Sequence, residues 1–268
     1  MADPRVVLTG IVMGESVRWH DDRLWFCDWA AGEVIRVEDD KPSVVARMAG
    51  FPFCVDWLPG GELLILDGPG ARLLRDGSVH ADLGHIEAAH LWNDIAADSR
   101  GNAFVNNVGY DFPGGGEPGP GFVAVVTPDG ASRRVADGLL FPNGMAVTAD
   151  DSTLIVAESH AGRLTAFDIA PDGGLTNRRV WADVSGSAPD GICLDATGAI
   201  WYADVPNQHC RRVREGGEIL ATIPFPDGAF DCAISADQQT LYTVTADYTD
   251  PQAMFTGRTG RLFAADLA

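Results

Sequence analysis

The sequence has almost no lysine and far more acidic than basic side chains. Lys41 is the one lysine among 19 basic residues, which stand against 38 Asp and Glu residues and leave a formal net charge of −19. Nucleic acids and anionic membranes are themselves negatively charged, so this balance argues against both as partners. The same excess slightly favours a cation site, although most of the carboxylates are expected to form a solvated acidic surface.

Paired cysteines and long apolar runs are also lacking. The five cysteines form no C-x-x-C motif, their number is odd, and several lie in apolar runs, such as Cys193 between Ile192 and Leu194. This pattern is typical of reduced, buried thiols and predicts a cytoplasmic protein. The start, MADPRVV, lacks the basic-then-apolar pattern of a signal peptide, and no apolar run reaches the length of about 18 residues that a membrane-spanning helix needs.

Helical periodicity is nearly absent, and the chain instead contains a repeat. Six segments align without gaps over about six residues and are spaced about 40 to 50 residues apart. Each runs into a turn rich in Asp, Asn, Gly or Ser and then into a second apolar run, as in residues 143–148, 149–153 and 154–159. The sequence therefore predicts an all-β, six-bladed β-propeller that forms a single domain over residues 1–268. We expect the N-terminal run 5–12 to pair with the last blade and close the ring.

The first position of the repeat identifies a candidate site. In a propeller the innermost strands line a central channel, so residues at one repeat position meet as a ring around its axis. Carboxylate and amide oxygens in such a ring suit one divalent cation, with Ca²⁺ favoured and Mg²⁺ or Mn²⁺ as alternatives. Zn²⁺ is less favoured, because no His or Cys belongs to the ring. The ring residues are Glu15, Phe53, Asn93, Asn143, Asp190 and Phe230.

A simpler interpretation of the same residues stays open. Asn143-Gly144 and Asp190-Gly191 are turn dipeptides, and both could merely begin turns. Against this, four oxygen donors share one register of the repeat. Glu15 and Asp190 would also repel each other in a narrow channel without a cation between them.

Several short motifs, in this order and spacing, resemble the regucalcin/gluconolactonase family of six-bladed propellers over essentially the whole chain. They are GESVRW at residues 14–19, Asn93-Asp94 followed by Asp98 and Gly101, FPNG at residues 141–144 and PDG at residues 189–191. The resemblance implies a divalent metal held by Glu15, Asn143 and Asp190, with Asn93 beside it contacting the substrate or a bound water. It also implies hydrolysis of lactones, the internal esters of sugar acids and related compounds.

The residues are consistent with that chemistry. A cation at the channel mouth could polarise the lactone carbonyl and stabilise the developing oxyanion. Asp190 could then act as a general base on the attacking water, or attack directly as a nucleophile. Asp190 and Asn93 are therefore the candidate catalytic residues.

The sequence departs from the sugar-lactone members of this family on the substrate side. Members that resemble regucalcin carry an Arg two residues before the Asn-Asp pair, where it binds sugar hydroxyls, and this position is Leu91 here. The loss of a guanidinium removes a bidentate hydrogen-bond donor. With Trp92, Phe53 and Phe230 nearby, the substituted position predicts a lactone or ester less polar than gluconolactone.

Two further features concern the expected mouth of the channel. Asp111 occupies the position of a family acid that contacts the substrate, and it leads into a glycine-rich stretch at residues 112–121. That stretch has no strand character and is expected to be either a mobile lid or a plain surface loop.

Two other functions are compatible with the same pattern. A phosphotriester hydrolase of the diisopropylfluorophosphatase type shares the architecture, and a noncatalytic Ca²⁺-dependent binding propeller could use the same ring. The sequence has no G-x-S-x-G motif, which argues against a serine hydrolase. His90 and His160 could lie near the mouth, as the His pair of the related paraoxonases does, but neither is a ring residue.

Overall fold

The computed structural model describes residues 3–87, 89–112, 114–250 and 254–267, and the regular secondary structure of these ranges is almost entirely β-strand. The strands form six antiparallel sheets of four strands each, arranged as a six-bladed β-propeller. In chain order they are β1 (Arg5–Ile11), β2 (Gly14–His20), β3 (Arg23–Asp28), β4 (Glu33–Glu38), β5 (Lys41–Arg47), β6 (Phe53–Trp57), β7 (Leu63–Asp67), β8 (Arg72–Arg75), β9 (Ser78–Asp82), β10 (Trp92–Ala97), β11 (Ala103–Asn107), β12 (Gly121–Val126), β13 (Ser132–Leu139), β14 (Pro142–Val147), β15 (Thr153–Glu158), β16 (Arg163–Ile169), β17 (Leu175–Asp183), β18 (Pro189–Leu194), β19 (Ile200–Asp204), β20 (His209–Val213), β21 (Ile219–Pro224), β22 (Gly228–Ile234), β23 (Thr240–Ala246) and β24 (Gly260–Asp266). A short 3-10 turn, Ser159–Ala161, follows β15.

The blades follow the order of the chain, and the N-terminal strand closes the ring. Blade 1 is β2–β5, blade 2 is β6–β9, blade 3 is β10–β13, blade 4 is β14–β17 and blade 5 is β18–β21. Blade 6 combines β22–β24 with β1, which pairs antiparallel with β24 so that Arg5 lies opposite Ala264. The predicted fold class and the predicted closure are both confirmed.

The core lies between the blades, which explains why the strands are apolar on both faces. Leu64 and Leu66 of blade 2, for example, share one buried cluster with Trp92, Ile95 and Val105 of blade 3. All five cysteines are free thiols, four of them buried. Among the described residues, no helix is long and apolar enough to cross a membrane.

The innermost strand of each blade contacts the innermost strands of both neighbouring blades around the channel. In five blades, the pairing of this strand with the next one is interrupted by a β-bulge at the ring position. A bulge re-aims the side chain that it carries and bends the strand. The bulges lie between Glu15 and Arg18, Trp92 and Ile95, Pro142 and Met145, Pro189 and Ile192, and Ala229 and Asp231.

Blade 2 is the exception. There β6 pairs with β7 without interruption, and Phe53 lies directly opposite Asp67. The ring residue of this blade is therefore not re-aimed by a bulge, and its side chain is fully buried in the core with Trp25, Val55 and Ile65.

Candidate functional site

Four oxygen-bearing ring residues converge at one end of the channel. Glu15 of β2, Asn93 of β10, Asn143 of β14 and Asp190 of β18 all line the same cavity. Asn143 and Asp190 lie inside strands and not in turns, so the interpretation that they merely begin turns does not apply. The glycines that follow them serve close packing, because a Cβ at Gly144 would lie 2.6 Å from the backbone nitrogen of Ile192.

A chain of hydrogen bonds orients the two carboxamides. Asn93 Nδ2 donates to Asn143 Oδ1 at 3.2 Å, and Asn143 Nδ2 donates to Ser159 Oγ at 3.3 Å. Ser159 Oγ in turn donates to the carbonyl oxygen of Pro189 at 2.7 Å, which connects the 3-10 turn to the strand that carries Asp190. Three neighbouring blades thus hold the site in one arrangement.

The two carboxylates of the site are buried and repel each other. Burial, followed by the charge of Asp190, raises the pKa of Glu15 well above its ordinary value. Burial also raises the pKa of Asp190, with further contributions from Asp231 and Asp94. Both carboxyl groups therefore lack the positive charge that would stabilise their ionised forms.

A positive charge would fit next to one oxygen atom of Asp190. Asp190 Oδ1 is buried and has no hydrogen-bond partner among the described residues. A buried, unpartnered carboxylate oxygen is costly unless a cation or a donor satisfies it. Two carboxylates and two carboxamides form the oxygen-rich donor set that hard divalent cations prefer. The residues of this site therefore fit such a cation, although no three His, Cys, Asp or Glu side chains of the described ranges form a metal cluster.

Beneath the site, Arg18 bridges two buried carboxyl groups. Its guanidinium Nη2 donates to Asp94 Oδ1 at 2.9 Å, and Nη1 donates to Asp231 Oδ2 at 3.3 Å. Asp231 also accepts the backbone N–H of Val17. Burial raises the pKa of Asp231 to about 7, even though Arg18 lowers it. This layer links blades 1, 3 and 6 directly below the donor set.

Above the site, the cavity has a volume of about 740 Å³ and mostly apolar walls. No Lys or Arg belongs to its lining among the described residues. Leu91 and Phe230, two of the residues predicted to contact a substrate, both line the cavity.

Three of the residues predicted to contact a substrate do not line this cavity. Phe53 and Trp92 are fully buried in the core, where the Trp92 ring packs against Phe122 at 5.3 Å. Asp111 lies on the surface and accepts the backbone N–H of Gly114 at 2.9 Å. Phe112 of the glycine-rich stretch does line the cavity, whereas residue 113 of that stretch lies outside the described residues.

Phe51 and Phe255 of the aromatic wall were not predicted from the sequence, whereas Trp29 was interpreted as a packing or pocket-wall residue. Trp29, Phe51 and Phe255 line the cavity from three different connections between strands. Phe51 lies two residues before the ring position of blade 2, and it lines the cavity although Phe53 does not. Phe51 precedes the innermost strand β6, whereas Trp29 and Phe255 follow the second strands of blades 1 and 6, so the three share no local sequence signal.

The sequence matches a known protein family over most of its length. Residues 13–247 match the family described as the SMP-30/Gluconolactonase/LRE-like region. Pentonolactonase XacC of Haloferax volcanii is 27% identical over 213 residues, which cover 76% of this chain and 70% of that protein. Regucalcin of Xenopus laevis is 25% identical over 248 residues, covering 87% and 83%.

Solved structures share the architecture along nearly the whole chain. The calcium-binding protein regucalcin of Agrobacterium tumefaciens superposes with a TM-score of 0.79 at 19% identity, covering 98% of this chain and 95% of that one. The gluconolactonase XC5397 of Xanthomonas campestris superposes with a TM-score of 0.75 at 24% identity, covering 99% and 95%. At these identities the two structures establish the shared fold.

Proposed function

Because the chain belongs to the SMP-30/gluconolactonase/LRE-like family, we propose that it is a divalent-cation-dependent lactonase acting at Glu15, Asn93, Asn143 and Asp190. Lactone hydrolysis is supported by the relatives named pentonolactonase and gluconolactonase. The observation that carries the cation dependence is Asp190 Oδ1, a buried carboxylate oxygen without a hydrogen-bond partner among the described residues, beside a second buried carboxylate.

Glu15, Asn143 and Asp190 would hold the cation, which is Ca²⁺ in the first instance, with Mg²⁺, Mn²⁺ and Zn²⁺ as alternatives. When bound, the cation would supply Lewis-acid polarisation of the lactone carbonyl and stabilisation of the developing negative charge.

The protein's own groups then carry out the proton transfers. The Asp190 carboxylate accepts a proton from water as the water oxygen attacks the carbonyl carbon. The bond between the carbonyl carbon and the ring oxygen breaks, and the proton returns from Asp190 to that oxygen, which leaves as an alcohol. Asn93 has a second N–H group, beyond the one donated to Asn143, with which to orient the substrate. The product is a hydroxy acid.

A direct test combines a lactone panel with a chelator. The purified protein should hydrolyse at least one lactone, lose activity with EDTA and regain it with one of the four ions. We expect Asp190→Asn to lower kcat by about 10²-fold or more, as the loss of a general base does. Asp22→Asn, at an exposed aspartate, is the matched control.

Other outcomes would replace the proposal. Turnover of a phosphotriester without turnover of any lactone would identify the phosphotriesterase alternative. Tight Ca²⁺ binding in calorimetry, without turnover of either class, would identify a binding propeller. Full activity in EDTA would exclude the cation.

A further inference from the structure

The cavity above the site has two aromatic walls from opposite halves of the ring of blades. The first wall consists of Trp29, Phe51 and Phe255, whose connections belong to blades 1, 2 and 6. Its rings stack almost parallel, with Trp29 and Phe51 at 6.2 Å and 13°, and Phe51 and Phe255 at 4.9 Å and 11°. The Trp29 indole N–H donates to the carbonyl oxygen of Phe53 at 2.6 Å, which fixes the orientation of this wall.

The second wall consists of Phe112, Phe141 and His160, from the connections of blades 3 and 4. Phe112 packs edge-on against Phe141 at 4.9 Å, and Phe141 contacts the His160 ring at 4.6 Å. The His160 backbone N–H donates to the carbonyl oxygen of Leu140, which anchors the turn that carries it. Both walls are therefore held in place by contacts within the protein.

Most polar groups of the cavity are already engaged by protein partners. The Tyr248 hydroxyl donates a hydrogen bond to the carbonyl oxygen of Pro206 at 3.2 Å. The Ser159 hydroxyl donates to the carbonyl oxygen of Pro189 and accepts from Asn143 Nδ2. No hydrogen bond from the described residues engages the His160 imidazole, although it lines the cavity. Away from the donor set, His160 is thus the one side chain with uncommitted polar atoms on the described part of the wall.

The scarcity of free hydrogen-bonding groups on these walls is unfavourable for binding a polyhydroxylated sugar lactone. Each substrate hydroxyl that is buried without a partner loses its hydrogen bonds to water, and this loss weakens binding. An apolar substituent has no such penalty and gains from burial between aromatic rings. A volume of about 740 Å³ is also larger than a bare lactone ring needs, and it suits a drug-sized ligand.

We infer that the substrate is a lactone bearing a bulky apolar or aromatic substituent, which lies between the two aromatic walls, and that His160 hydrogen-bonds a single polar group on that substituent. The inference rests on the proposed lactonase function and specifies its substrate class. Leu91 contributes an uncharged side chain to the cavity, whose lining among the described residues contains no Lys or Arg.

The first experiment compares kcat/KM for γ-butyrolactone, γ-phenyl-γ-butyrolactone and glucono-δ-lactone in the protein with its cation. The phenyl lactone should exceed the unsubstituted ring by about tenfold or more, from burial of the phenyl group. Leu91→Arg should lower the ratio of phenyl lactone to gluconolactone by about tenfold or more, because it places a charge in the apolar wall. Val79→Arg introduces the same side chain on the exposed outer strand β9 and serves as the control.

Different results would contradict the proposed substrate class and the proposed lactonase function. Equal or better turnover of gluconolactone would overturn the substrate class and leave the lactonase function intact. If no lactone is hydrolysed, calorimetry measures the binding of the carbocyclic ketone analogue of the phenyl lactone, which tests the cavity assignment without turnover. Binding tighter than that of cyclopentanone would support the cavity assignment without the function, and equal or absent binding would overturn it.

The second experiment tests His160. Hydroxyphenyl isomers of the phenyl lactone are compared with the parent compound, and the best isomer is kept. His160→Phe should lower the ratio of kcat/KM for this isomer over the parent by about three- to tenfold, the usual contribution of one hydrogen bond. His80→Phe, on the outer strand β9, is the matched control. An unchanged ratio in His160→Phe would remove His160 from substrate recognition.

Discussion

Arg18 Nη2 lies 2.9 Å from Asp94 Oδ1, and this ion pair forms the floor beneath the candidate cation site. The same guanidinium reaches Asp231 at 3.3 Å, and the side chains of Arg18, Asp94 and Asp231 are only 17%, 9% and 3% exposed. Burial alone would lower the pKa of Arg18, but Asp94 and Asp231 raise it above its ordinary value. Arg18 is therefore a permanent cation within a channel that otherwise carries negative charge.

Removing the charge of Arg18 should destabilise the fold strongly. Arg18→Met leaves two buried carboxylates without their partner, and breaking a buried pair in this way costs about 3–5 kcal/mol of the free energy of unfolding. Urea unfolding at neutral pH measures the loss. Arg47→Met removes the exposed pair with Glu33, in which Arg47 is 68% exposed, and should cost less than about 1 kcal/mol. A loss in Arg18→Met as small as that of the control would mean that the backbone N–H groups bonded to Asp94 and Asp231 stabilise these carboxyl groups without Arg18.

The blades and the ring of equivalent positions could be predicted from the sequence because both depend on a repeated local pattern. Apolar runs and turn residues recur with the blade, and side chains at one register must meet around the axis. Glu15, Asn143 and Asp190 could be found in this way. The Arg18 floor could not, because Asp94 and Asp231 are far from Arg18 in the sequence and meet it only when the ring closes.

The orientation of each ring side chain could not be predicted either. Phe53 was expected to face the substrate like Phe230, but β6 has no bulge, and the side chain points into the core. Gly144 and Gly191 did mark the bulged strands, although they were interpreted as turn residues. The aromatic walls depend on loops from separate blades, whose relative positions are set by the closed ring and not by local sequence.

Gly191 should be required for the close approach of blades 5 and 6. A Cβ at this position would clash with the Asp231 carboxylate, which is held by Arg18 and by backbone N–H groups and cannot move away freely. We expect Gly191→Ala to lower the free energy of unfolding by about 2 kcal/mol or more, as overpacking of a rigid interior does.

Gly84→Ala is the matched control for this substitution. Its Cβ would meet only the end of the Asp82 side chain at 3.1 Å, so the change should be small in the same urea titration. Comparable stability of the two variants would show that blades 5 and 6 separate without difficulty at the site.

Glu15 should destabilise the cation-free protein in a pH-dependent way. Its raised pKa, due first to burial and then to Asp190, means that the folded state favours the protonated form. The stability contributed by that proton is fully present below the ordinary value of 4.5 and is lost as the pH rises through the raised pKa. The glutamine of Glu15→Gln does not titrate. In EDTA the Tm of this variant should therefore equal the wild-type Tm at about pH 5 and exceed it at about pH 8.

Adding Ca²⁺ near pH 8 should reverse the order, because the cation stabilises the ionised Glu15 and binds the Gln variant less well. Differential scanning calorimetry with and without EDTA measures both effects. Glu215→Gln, at an exposed glutamate, should follow wild type throughout. If Glu15→Gln is less stable than wild type in EDTA at both pH values, the Glu15 carboxylate has a stabilising partner within the protein, and the site does not require a cation to balance its charge.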